Sequence, residues 1–100
     1  MTFKEVIMPI ISSQKTATSA GIPEQLGALR IDGPLMIKAL ESNSGVVFVG
    51  NDGSNSVSSA TGVSLSAGEA IVFEFVGSLE SLYLDAVVDG EGVAWIRLNL

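Results

Sequence analysis

A chain of 100 residues is long enough for one domain with its own core. It contains no cysteine and no histidine, which excludes disulfides, thiolate sites, and the commonest general base and metal ligand. Its net charge of −6 comes from 11 acids against 5 scattered bases, so it lacks the cationic stripe that nucleic-acid binding requires.

Val and Ile together number 19, and such β-branched residues suit a pleated surface. No stretch sustains a 3.6-residue apolar repeat; short apolar runs end instead at Gly, Pro, Asn or Ser. Residues 1–11, MTFKEVIMPII, do not read as a signal peptide, because Glu5 and Pro9 interrupt a short apolar run. Within them, residues 3–7 predict a first strand. A weaker strand is expected at 16–20. GIPEQLG, residues 21–27, suits a helical turn with Pro23 at its start. Strands follow at 27–32 and 35–41, with Gly33-Pro34 expected to separate them. After a strand at 45–50 comes an uncharged-looking connection, residues 51–62, rich in Ser, Asn and Gly, with a weak strand at 57–60. Strands at 70–76, 82–88 and 93–99 complete the chain. The pattern predicts an all-β protein over residues 1–100, an antiparallel β-sandwich or small barrel of about seven to nine short strands. No stretch approaches the ~20 apolar residues of a membrane-spanning helix.

The last two strands read as a hairpin. An odd-numbered loop in VDGEG places Leu82, Leu84, Ala86 and Val88 on one face with Ala94, Ile96, Leu98 and Leu100. The opposite face then carries Tyr83, Val87, Val93 and Trp95 with Asp85 and Arg97. That face is too apolar for free solvation. Either an N-terminal segment of the same chain covers it, or a second subunit does. Tyr83, Val87, Val93, Trp95 and Arg97 are therefore interface candidates. AIVFEFV at 70–76 has the same two-sided character, with Ile71, Phe73 and Phe75 opposite Val72, Glu74 and Val76.

Reactive constellations are lacking. NDGSNS at 51–56 offers one carboxylate, Asp52, among amides and hydroxyls, and reads as a turn rather than a calcium loop. No phosphate-binding glycine motif occurs. The serines have no histidine to activate them and no G-x-S-x-G elbow. Asp85 and Glu74, placed on neighbouring late strands, form the one carboxylate pair worth weighing, and both read as solubilising residues. The six acids of residues 69–100 read the same way. No enzyme activity, cofactor, metal, membrane or small-molecule substrate is expected.

The run from Gly45 onward resembles small structural proteins of tailed bacteriophages, in particular capsid decoration, or cement, proteins. The resemblance is carried by Val47, Phe48, Val49 and Gly50 before the Ser-rich loop, and by Gly62, Leu65, Gly68 and Glu69 in a G-x-x-L-x-x-G-E turn. Leu82, Tyr83, Leu84 and Ala86, then Val93 and Trp95, continue it. It implies a jelly-roll β-sandwich, a homotrimer, and a virion protein made in the host cytoplasm and seated on the major capsid protein at the outer capsid surface. The N-terminal segment would then supply the shell contact through Phe3, Val6, Ile7, Ile10 and Ile11. The same cadence also occurs in fibre-like virion components, which leaves a tail, baseplate or fibre module binding a host receptor or glycan as the alternative. The connection 51–62 would either lie across a neighbouring subunit or form a solvent-facing tip.

Overall fold

The computed structural model describes residues 10–98. It is all-β, with strands β1 (Ser12–Thr16), β2 (Glu24–Gln25), β3 (Arg30–Ala39), β4 (Val47–Gly50), β5 (Val63–Leu65), β6 (Ala70–Ser78), β7 (Tyr83–Ala86) and β8 (Gly92–Arg97). One sheet runs β1-β8-β3-β6 and the other β2-β7-β4-β5, and every pairing is antiparallel. The first strand pairs with the last, the second with the seventh, the third with the sixth and the fourth with the fifth. A long hairpin bent over on itself in this way is a jelly roll, closed here by the extra ladders β3–β8 and β4–β7.

Alternation along the strands fills the space between the sheets. Leu35, Ile37 and Ala39 of β3 and Val93 and Trp95 of β8 point inward from one sheet. Val47 and Val49 of β4, Leu65 of β5, and Leu84 and Ala86 of β7 point inward from the other. All belong to one continuous apolar cluster. Each large side chain so buried contributes about 1.5–3 kcal/mol.

The late hairpin does not form. β7 and β8 lie in different sheets, because 87–91 crosses from one sheet to the other instead of turning back. With no shared ladder, the apolar sets of the two strands are not bound to one register. β7 turns Leu84 and Ala86 inward, whereas β8 turns Val93, Trp95 and Arg97 inward and leaves Ala94 and Ile96 on the outer face.

Gly33-Pro34 does not divide β3. Two compensating bulges carry the strand through it. Leu35 faces Phe73 and Gly33 faces Val76, so β6 holds the extra residue there; between Gly33 and Arg30 the extra residue is on β3, and the register is restored at Arg30–Ser78. The second bulge holds Asp32 at φ 49. Pro34 is tolerated in this central strand because it sits where β8 ends, its carbonyl accepting the Leu98 N–H at 2.9 Å.

The weaker early elements also shift. The strand expected at 16–20 lies at Ser12–Thr16. GIPEQLG forms no helical turn; Glu24 and Gln25 pair with Leu84 and Tyr83 instead. Residues 57–60 form no strand, and Val63–Leu65 pairs with β4. The strand expected at 3–7 falls outside the described residues.

Candidate interaction surface

The antiparallel crossovers gather 17–23, 40–46, 66–69 and 87–91 at one end of the sandwich. This end is tied by carboxylates. Glu91 accepts from the Ser44 N–H at 2.7 Å, the Gly45 N–H at 2.9 Å and the Ser44 hydroxyl at 2.9 Å. The backbone donors of Ser44 and Gly45 hold its carboxyl below the ordinary glutamate range. Glu24 accepts from the Thr18 N–H at 2.6 Å and from Lys15 Nζ at 3.1 Å, and its carboxyl is lowered for the same reason, the Thr18 bond first. Asp89 accepts from the Ala20 N–H and Asp85 from the Gly21 N–H. The late acids are therefore loop ties as well as surface charge.

Asp85 and Glu74 do not form a carboxylate pair. Glu74 stands on β6 of one sheet, whereas Asp85 is buried on β7 of the other, beneath the 17–23 loop. Among the described residues no group of three or more acids, histidines or cysteines is placed to hold a metal ion. Asp52 accepts from the Ser54 N–H, and Asn51 from the Gly53 N–H, as side chains do in Asx turns.

The connection 51–62 is neither slack nor strand. Val57 is 1% exposed and anchors it. Thr61 and Gly62 donate back to the Ser58 carbonyl, Asp52 donates to the Ser56 carbonyl, and Asn51 Nδ2 reaches the Ser81 carbonyl at 2.9 Å. A Cβ on Gly62 would stand 2.6 Å from Val57 Cγ2, so only glycine leaves room for that anchor. The neighbouring G-x-x-L-x-x-G-E segment is a closed turn. Leu65 is buried, Gly68 has φ 81, the Glu69 N–H donates to the Ser66 carbonyl, and the Ser66 N–H donates to the Glu69 carboxylate.

The expected interface residues do not come together. Phe3, Val6 and Ile7 lie outside the described residues. Ile10 is 70% exposed, but Ile11 packs on the core and its carbonyl accepts the Arg97 N–H. Val93, Trp95 and Arg97 are buried between the sheets of their own chain and present no free surface. Tyr83 is half-buried on the outer face of the other sheet, its hydroxyl 3.3 Å from Gln25 Nε2. Val87 is exposed in the 87–91 crossover.

Two further exposed apolar side chains, Phe75 at 68% and Val72 at 55%, both lie on β6, an outer strand of its sheet. The bulge explains why the sequence pattern misplaced Phe75. An extra residue after Phe73 turns Val76 inward and leaves Phe75 outside. Next to this, the register sets Val72, Met36 and Ile96 in one row across the outer face. A shallow depression of about 250 Å³ lies over Met36, Ala94 and Ile96. A second cleft, about 370 Å³, is lined by Gln25, Asn55, Ser78, Glu80, Ser81 and Tyr83.

Fold and surface together define an all-β jelly-roll sandwich with loop-tied ends and one apolar edge. No protein-family model matches the sequence, and neither the curated proteins nor the solved structures gave a match.

Proposed function

We propose that the protein is a non-enzymatic virion structural component that binds the outer surface of a phage capsid and stabilises it as a decoration protein. The observation that carries this reading is the correspondence between the phage-like motifs and the fold. Val47–Gly50 is β4, Leu65 with Gly68 and Glu69 closes the turn into β6, Tyr83–Ala86 is β7, and Val93 and Trp95 are core residues of β8. Binding an intact lattice in preference to a ruptured one stabilises the lattice by mass action. The shell contact is assigned to the N-terminal segment, through Phe3, Val6, Ile7 and the exposed Ile10. Ile11 belongs to the sandwich, so the truncation that removes the contact ends at residue 10.

A tail, baseplate or fibre module is the second reading. The cleft at Tyr83 favours it, since a half-buried ring beside two amides, a carboxylate and two serine hydroxyls suits a sugar's mixed apolar and polar faces. Electron microscopy of virions with and without the protein separates the two. Density on the head that disappears with the protein supports decoration; density confined to the tail overturns it. Stripped heads that rebind the protein, but not the variant lacking residues 1–10, localise the contact.

A further inference from the structure

Each sheet has two outer strands, and their lengths differ. β2 has 2 residues, β5 has 3 and β1 has 5, with Lys15 among them. β6 has 9 residues, no proline and one charge, Glu74. Native sheets blunt their edges with short strands, prolines and charges, and β6 uses none of these along Ala70–Phe73.

The ladder shows which backbone groups this edge offers. The Ala39 N–H donates to the Glu69 carbonyl, and the Leu40 N–H donates to the Gly92 carbonyl on the other side. By alternation, odd residues of β3 bond to β6 and even residues to β8. On β6, Ile71 and Phe73 therefore spend their N–H and C=O groups on β3. Those of Ala70, Val72 and Glu74 point away from the sheet, and among the described residues no strand lies beyond them.

We propose that β6 pairs edge to edge with β6 of a second copy of this chain, antiparallel, about a two-fold axis at Val72. The sequence is self-complementary in that register. Val72 faces the second copy's Val72, and Ala70 faces its Glu74. Ile71 faces Phe73, and Glu69 faces Phe75. No two acids oppose each other, whereas like charges across a ladder are destabilising. The three outward residues form three pairs, each exchanging two hydrogen bonds. The pairing joins the two sheets into one and covers Val72 and the half-buried Ile71 and Phe73. The bulge after Phe73 ends the regular ladder, and this fixes the register. This two-fold association stands in place of the three-fold one that the phage resemblance implies. It rests on the strand edge alone and holds or fails independently of any capsid role.

The test is sedimentation of the full chain over a micromolar concentration series, combined with amide hydrogen exchange. A species of twice the 10.3 kDa chain mass is expected. The amides of Ala70, Val72 and Glu74 should gain protection as concentration rises, while those of Ile71 and Phe73 are protected throughout. Ala70→Glu puts like charges in both symmetry-related pairs and should raise the dissociation midpoint by about tenfold. In the monomer the new acid lies beside Lys38, so the fold is spared and an unchanged circular dichroism spectrum verifies it. Ala70→Lys, facing Glu74, should lower the midpoint. A monomer at every concentration, a trimer, or a dimer whose Val72 amide exchanges as it does on dilution would each overturn the proposal. So would equal midpoints for the two Ala70 variants.

Discussion

Asn43 holds the two halves of the sandwich end together through a single backbone unit. Its Nδ2 donates to the Gly92 carbonyl at 2.9 Å, and its Oδ1 accepts the Gly92 N–H at 3.3 Å. Both residues are buried. Asn43→Ala leaves the Gly92 N–H with no acceptor. The carbonyl keeps only the Leu40 N–H at 3.0 Å. An orphaned buried donor costs about 1–3 kcal/mol and the second lost bond about 0.5–1.5, so the variant should lose about 2–4 kcal/mol. That is a large part of the ~5–15 kcal/mol available to a domain of this size. Asn43→Asp is the sharper probe. Its carboxylate can still accept the Gly92 N–H but stands against the Gly92 carbonyl, whereas its protonated form can donate to that carbonyl. The new carboxyl should therefore titrate above its unfolded value near ~3.9. Stability from the protonated form is complete below that value and is lost as pH rises through the raised folded one. Urea unfolding at several pH values should give a deficit relative to wild type that is small near pH ~3.5 and approaches the alanine deficit at pH 7. An alanine variant within ~0.5 kcal/mol of wild type, or an aspartate deficit that does not change with pH, would refute the reasoning.

Glu91→Gln should flatten the acid limb of stability. The wild-type carboxyl is lowered from 4.5 by the Ser44 and Gly45 amides, so its contribution is present above 4.5 and disappears as pH falls through the depressed value. Melting curves between pH 3 and 6 should therefore slope less for the variant. Gly92→Ala should lose at least ~3 kcal/mol or fail to fold, because its Cβ would meet the Lys15 carbonyl and stand 2.6 Å from Thr16 Cα, neither of which can rotate away. Val57→Ala removes two buried carbons and should cost about 1.5 kcal/mol in urea unfolding, with faster exchange at the Gly62 amide that bonds Ser58.

Fold class was readable from residue type, since β-branched runs punctuated by turn residues pointed to an all-β sandwich or small barrel. Strand faces were readable where a strand pairs regularly, as for Leu84 and Ala86 of β7. They failed where a bulge intervened. A two-for-one pairing at Glu74 and Phe75 changes the side of every later residue, and only Gly33-Pro34 on the facing strand hinted at it. Connectivity failed for a different reason. VDGEG has the composition of a hairpin turn, but Asp89 and Glu91 spend their carboxylates on the Ala20, Ser44 and Gly45 amides of other loops. Such long-range acceptors carry no local signature. The candidate surface inherited both errors. Trp95 was assigned outward by the hairpin it does not form, and Phe75 was paired with a face the bulge removes it from.

The pairing of β1 with β8 also governs when this protein can fold. Every residue from Ser12 to Thr16 finds its ladder partner between Gly92 and Ile96. β3, paired with β6 on one side and β8 on the other, likewise waits for both. A chain emerging from the ribosome can close β4 on β5, a local hairpin, but holds β1 unmatched until β8 is made. Folding is thus deferred until residues 92–97 have been made, and its rate is governed by the closure of the longest loops rather than by local propensity.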